Sequence, residues 1–232
     1  GSFWAIANPL LMLSIFTYIF GYVYKIRLPG AETTLAYATW LISGYGPWLA
    51  ASEAIMAAAM SVVSGAAILK NMAFKTEILP IAAALTGVVP LTVSFSFLIV
   101  LLVLDGNTPT LHAVLLPIVI CFQFFFIISL GFFLSAVTVF IRDFGIALPN
   151  LLLVLLFLTP IFYPFDSMPT TMQTLSLLNP FYILAEAYRR PLIYHQMPPL
   201  WGLAYVAVLS TVLSYFGLKL FRRVKGHFAA ML

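Results

Sequence analysis

Long apolar runs, each broken by a short polar or charged stretch, divide this chain. A bilayer core of about 30 Å needs roughly 20 mostly apolar residues to cross it as a helix. Residues 3–24, 35–69, 78–104, 111–140, 148–164 and 200–221 meet or approach that length, and they predict six transmembrane helices. The second run has room for a span plus an interfacial turn, which Gly44-Tyr45-Gly46-Pro47 is placed to make. Polar connections at 25–34, 70–77, 105–110, 141–147 and 165–199 separate the runs, and a tail follows from Arg222. No internal repeat or low-complexity tract interrupts the pattern, so the expected fold is all-α, a polytopic membrane protein forming a single domain over 1–232.

The stretch 165–199 is too apolar for a solvated loop and too broken to span. Asp166 and Ser167 are placed to cap a short helix whose first turn holds Pro169 and which carries Met172. Asn179 followed by Pro180 is an N-cap and N1 pair for a second helix. That helix presents Phe181, Leu184, Ala185 and Tyr188 on one stripe, with Glu186 within reach of Arg189 or Arg190, and Pro191 ends or bends it. Broken helix at membrane depth survives only where it is buried in protein or lines a wet cavity. The segment is therefore predicted as a re-entrant helical hairpin before the last span.

Six spans put both termini on one side, and the placement of Lys and Arg decides which. With termini inside, the cytoplasmic set is Lys70, Lys75, Arg142, Lys219, Arg222, Arg223 and Lys225. The outer set is Lys25, Arg27, Arg189 and Arg190. Seven against four places both termini in the cytoplasm. Arg142-Asp143 then closes a long span on the inner side and is expected to organise the inner rim of any pathway.

Composition agrees with this picture. Hydrophobic residues are 63% of the chain and charged ones 8%, against about 25% charged in soluble domains. The net charge of +4 is spread over the ends of apolar runs, the placement of a membrane protein and not of a nucleic-acid binder. A single Cys121 offers no disulfide framework, and His112, His195 and His227 share no ligand spacing. No Ser/His/Asp set, paired carboxylates or Gly-rich phosphate loop occurs. No catalytic residue, metal or cofactor is expected, and any nucleotide power must come from another polypeptide. The chain opens at Gly1-Ser2 without Met, basic leader or cleavage site, so the first run is read as a retained span, with an amino-terminal piece expected before Gly1.

Two features of the spans carry open readings. Ala50, Ala54, Ala58, Ser61 and Gly65 form a small-residue stripe that permits close helix approach. Glu53, beside it, is an intramembrane acid, a functional group by default or a protonated packing partner. Aromatic residues, Tyr18, Tyr45, Trp48, Phe125 and Tyr163 among them, either meet lipid and the interfacial belts or line a channel whose rings stack on sugar C–H faces.

Residues 68–80, ILKNMAFKTEILP, carry an apolar stripe that a plain solvated loop does not need. A snorkelling interfacial loop is one account of it. The order of residues resembles the first cytoplasmic loop of the ABC transporter permeases that export polysaccharides and teichoic acids, with Lys75-Thr76-Glu77 where that family usually has Pro-Arg-Glu or Pro-Lys-Glu. Gly1-Ser2-Phe3-Trp4-Ala5-Ile6-Ala7-Asn8-Pro9-Leu10 is similar to the family's opening of the first span, which implies that an amphipathic interface helix precedes it. Ser43-Gly44-Tyr45-Gly46-Pro47-Trp48, Phe140-Ile141-Arg142-Asp143-Phe144, Thr159-Pro160-Ile161-Phe162-Tyr163-Pro164 and Leu178-Asn179-Pro180-Phe181 resemble further family segments in the same order.

The resemblance implies the membrane subunit of an exporter of polyprenyl-linked glycan in the bacterial cytoplasmic membrane. It implies a homodimer working with two copies of a separate ATPase that holds ATP and Mg. Lys70, Asn71, Met72, Phe74, Lys75 and Glu77 would meet that ATPase. Asp166, Pro169, Met172, Asn179, Pro180, Phe181, Leu184 and Tyr188 would build an external gate. The alternatives are a related permease for drugs or haem, and a membrane-embedded acyl- or glycosyltransferase, which would need clustered polar catalytic residues at one interface.

Overall fold

The computed structural model describes residues 2–25, 33–66, 75–107 and 110–231. The predictions on Lys70, Asn71, Met72 and Phe74 fall outside the described residues. All regular structure among the described residues is helical. Helix α1, Ser2–Phe16, continues as a π-helical turn over Thr17–Val23. Helix α2 is Thr34–Ser64. Helix α3, Ile78–Ala84, runs through one 3-10 turn into α4, Val88–Leu104. Helix α5 is Leu116–Phe140 and α6 is Arg142–Leu158. Two short helices follow, α7 at Thr170–Leu177 and α8 at Pro180–Arg189, then α9 at Leu200–Val224 and a last turn, α10, at Phe228–Met231.

Among the described residues, five stretches are long and apolar enough to cross a bilayer: Ile6–Val23, Thr34–Ser64, Ile78–Leu104, Leu111–Phe140 and Leu200–His227. The all-helical, multi-span prediction holds. Helix α6 differs from the expected fifth span of 148–164. It begins six residues earlier, at Arg142, and stops at Leu158, giving 17 residues, the short end of what a bilayer needs. Asp143 in its first turn favours the early start, because a carboxylate is stabilised by the unpaired N–H groups there. The expected turn at Gly44–Pro47 is also absent, and α2 runs straight through it.

Apolar surface is turned outward along the helices. Ile99, Val100, Val103 and Leu104 on α4, Leu151, Val154 and Phe157 on α6, and Val208 and Phe216 on α9 are all exposed. Gln123, Ser129, Thr138 and Ser210 are buried. The hydroxyls of the last three donate to carbonyls one turn back, at 2.6–2.8 Å. Where no water competes, a buried polar group needs such an internal partner. With five apolar spans, this marks a multi-pass membrane protein.

The residues fall into two compact units. One comprises Gly1–Ala50, Val88–Ile120 and Leu155–Leu203, and the other Ala51–Gly87, Cys121–Val154 and Ala204–Leu232. In the first, α1 packs along α4, and Phe162 sits in a ring cluster, 4.7 Å from Phe20, 4.9 Å from Phe16 and 5.7 Å from Tyr45 between centroids. In the second, Val62, Phe132, Ala136, Val139, Phe221 and Phe228 form a core. There the small-residue stripe of α2 gives the close approach expected of it. A Cβ on Gly131 would lie 2.9 Å from that of Ala58, so α5 needs a bare backbone at that point.

Candidate functional site

In the first unit the structure gathers the broken segment around one arginine. Helix α8 is PFYILAEAYR, and eight of its ten residues are buried, so the helix is surrounded well beyond its apolar stripe. Phe181, Leu184, Ala185 and Tyr188 are buried as the stripe predicts, but Tyr182, Ile183 and Ala187 are buried too. Its start is the predicted cap: Asn179 Oδ1 accepts from Phe181 N at 3.0 Å, with Pro180 at N1. Asn179 Nδ2 also donates to Thr159 Oγ1 at 2.8 Å, tying the helix to the chain just beyond α6. The first half-helix departs from expectation. Phe165–Ser167 is a separate 3-10 turn, and Pro169, not Asp166 or Ser167, occupies the N-cap of α7. Ser167 Oγ instead donates back to the Pro164 carbonyl at 2.6 Å.

Arg189 closes α8 and is 1% exposed. Nη1 donates to the Pro160 carbonyl at 3.1 Å and to Glu186 Oε1 at 3.3 Å, and Nη2 to the Ile161 carbonyl at 2.8 Å. The guanidinium lies 3.8 Å over the Trp40 ring. A planar fork that hydrogen-bonds sideways and stacks on its face is what Arg provides and Lys does not. A Cβ on Gly44 would lie 2.5 Å from Nη2 and one on Gly46 2.7 Å from Ser94 Cβ. The glycines of Gly44-Tyr45-Gly46 thus let neighbours approach α2 and do not reverse the chain, which is why no turn forms there. Tyr37 Oη donates to the Phe162 carbonyl at 2.8 Å, so three consecutive carbonyls, 160 to 162, are held by buried side chains.

Sequence reading left Arg189 and Arg190 as equal partners for Glu186. The structure selects Arg189. A signal was present: Arg189 lies four residues after Ala185 and eight after Phe181, on the buried stripe. Helix α8 then passes into a π-turn at Arg190–Tyr194 and ends at His195, where φ is 55°.

Two hollows adjoin these helices. Met172, Asn179, Pro180 and Phe181 border one of about 420 Å³ with Leu155 and Leu158. Asp166 lines another of about 620 Å³ with Glu186, Arg189 and Tyr194. Of the aromatic candidates, Tyr45 and Trp48 are buried, Trp48 edge-on to Phe181 at 4.7 Å. Tyr18 is exposed and stacks on Tyr22 at 5.5 Å. Tyr163 is half-buried and donates to the Phe157 carbonyl at 2.7 Å. Phe125 is exposed and Glu53 half-buried.

In the second unit, Glu77 at the start of α3 accepts from Lys225 Nζ at 2.8 Å, with Arg222 Nε 3.7 Å away. Lys75, Thr76 and Glu77 share a notch of about 640 Å³ with Arg222 and Lys225. Arg142 is exposed and donates from Nη2 to the Met231 carbonyl at 2.8 Å, and Asp143 is exposed beside it. The hydrogen bond from Lys225 holds the Glu77 carboxyl below its ordinary value of 4.5. A lowered carboxylate stabilises the fold above its ordinary value, and that contribution is lost as pH falls through the folded value. Because Lys225 is 43% exposed, it is worth under about 1 kcal/mol. Glu77→Gln should therefore lower thermal stability slightly at pH 7, and the gap from wild type should close as unfolding is followed below pH 4.5. A gap that persists into acid would refute the clamp.

Two kinds of comparison place the chain. The family model for ABC-2 type transporters matches residues 1–193. An O-antigen export system permease protein RfbA of Myxococcus xanthus is 26% identical over 231 residues, 99% of this chain and 86% of the relative. Two proteins of the same description from Klebsiella pneumoniae are 24% and 25% identical, each covering all of this chain and 87% of the relative. With a family match across 193 of its 232 residues and five apolar spans among the described residues, the chain belongs to the ABC-2 type transporters as a membrane permease, a family that implies an ABC ATPase partner.

Proposed function

We propose that this chain is the membrane-spanning subunit of an ATP-driven exporter of lipid-linked polysaccharide in a bacterial inner membrane. The observation that carries the reading is its end-to-end likeness to permeases named for O-antigen export, together with five apolar spans among the described residues. On this reading α6 is the fifth of six spans, both termini are cytoplasmic, and the chain is one permease domain. Two copies pair with two ATPase subunits, which hold ATP and Mg. Exposed rings along α1 and its π-turn, Phe3, Trp4, Tyr18 and Tyr22, offer a surface for a second copy or for the glycan path.

Helices α7 and α8 form the external gate, re-entering the outer leaflet. Support comes from α7, whose Met172, Leu175 and Leu177 are exposed apolar side chains on a helix of eight residues, poorly suited to water. Arg142 and Asp143 form the inner rim, and 70–77 meets the ATPase. The polymer is polyprenyl-linked, of O-antigen or teichoic-acid type.

The test is co-reconstitution with the partner ATPase in proteoliposomes carrying labelled polyprenyl-linked glycan. Glycan should become accessible on the far side only with ATP and this chain together. Sugar or acyl transfer without ATP would instead favour a transferase, and ATP-driven drug or haem efflux without glycan movement would favour a small-amphiphile permease.

A further inference from the structure

Three carboxylates far apart in sequence open on one cleft of the first unit. Asp105 follows α4, Asp166 lies in the 3-10 turn before α7, and Glu186 stands on α8. The cleft has a volume of about 620 Å³. Its walls are ring-bearing. Phe165 stacks on Tyr182 with centroids 5.2 Å apart and planes at 13°. Tyr194 is 46% exposed, and its ring is oriented by the Trp40 Nε1–H it accepts at 3.0 Å. Asn107 adds a carboxamide.

Charge decides what such a cleft admits. Arg189 is the one basic residue among the described residues that line it, so three carboxylates less one guanidinium leave −2. That guanidinium is also turned to the carbonyls of 160 and 161 and to Glu186, and among the described residues neither Asp105 nor Asp166 has an ion-pair partner. A phosphate or uronate entering would meet like charge in a walled site, where screening by water is reduced. Sugar hydroxyls are donors, and carboxylates are acceptors with several lone-pair sites each. Rigid rings beside a few fixed polar groups are the make-up of a small-molecule site, and the apolar C–H face of a pyranose matches the ring.

We propose that this cleft, framed by Tyr194, Phe165, Asp105, Asp166 and Glu186, is a glycan subsite that takes uncharged or amino-bearing sugars and rejects phosphate- or carboxylate-bearing polymers. It rests on the polysaccharide-export reading and narrows it toward neutral polymers and away from the teichoic-acid type.

The test uses the full chain with its ATPase in lipid nanodiscs, and two probes, mannotetraose and a glycerol-phosphate tetramer, titrated by calorimetry. Wild type should bind mannotetraose and not the phosphate oligomer. Asp166→Lys places a cation at an exposed position and should weaken mannotetraose about tenfold or more, the size of a lost hydrogen bond to a charged group, while admitting the phosphate oligomer. Tyr194→Ala should weaken mannotetraose without admitting phosphate. Equal binding of both probes by wild type, no mannotetraose binding, or mannotetraose binding unchanged in both variants overturns the subsite. If neutral glycan is still exported with ATP in those cases, the export reading stands and only the subsite falls. If wild type with its ATPase moves no glycan of either charge, the export reading itself fails.

Discussion

Arg189→Ala is expected to be the most damaging single substitution in the described part of the chain. The side chain is 1% exposed and satisfies the carbonyls of Pro160 and Ile161 while pairing with Glu186. Truncation leaves two carbonyls and a carboxylate without their donor and empties the space over Trp40. Removing one member of a buried pair costs about 3–5 kcal/mol. Glu186 is 18% exposed and can recruit water, so the lower end, about 3 kcal/mol, is expected here. Arg189→Lys should rescue little, because an ammonium cannot make the forked contact to two successive carbonyls while stacking on indole. Gly44→Ala is the independent check, since its Cβ would fall 2.5 Å from Nη2 and push the guanidinium off its seat without removing any charge. Thermal unfolding in detergent reads all three. Near-wild-type stability for Arg189→Ala would show that the 160–162 segment is held by other contacts, such as Tyr37 to Phe162.

The second large effect is expected at Phe74. Phe74→Ala should abolish or strongly weaken co-purification of the ATPase and its coupled hydrolysis, while Lys75→Ala should change both little. Phe74 lies outside the described residues, and its expected role comes from the apolar stripe of 68–80, flanked by Lys70, Lys75 and Glu77. Aromatic anchors buried in an interface are worth about 2 kcal/mol or more on truncation, whereas charges at the rim contribute little. What the structure adds is an anchorage just beyond. Glu77, three residues on, pairs with Lys225 and Arg222, which links this residue to the end of α9 and the turn after it. Normal ATPase binding and coupling by Phe74→Ala would reduce 68–80 to a membrane-surface loop.

Local properties were legible before any coordinates. Run length and the cost of unpaired backbone in lipid announced the spans at 78–104 and 111–140, and each is a continuous apolar helical stretch. Asn179-Pro180 announced a helix start, because a side-chain oxygen next to a residue lacking N–H is a local fit to the free end of a helix, and the cap is there. Errors arose where a local signal had a distant explanation. Gly44-Tyr45-Gly46-Pro47 looks like a turn by composition, yet Gly44 is small because Arg189, 145 residues later, needs the room. Asp166 and Ser167 are a different case, a competition between two local uses of one side chain: they look like caps, yet Ser167 turns back to Pro164, three residues earlier.

The sequence by itself thus determined class, approximate spans, the absence of a nucleotide loop and the family likeness, since each depends on residue type and spacing along one helix or loop. Only the tertiary structure decided which of two adjacent arginines is buried, that Glu77 meets Lys225 across 148 residues, and that Asp105, Asp166 and Glu186 face one cleft. The physical reason is common to all three. A helix's amphipathic pattern says that it has an inner face, but the rotation that brings a given side chain onto a partner is set by close packing against neighbours, so the stripe of α8 marks Arg189 as inward-facing without saying which carbonyls and ring it meets.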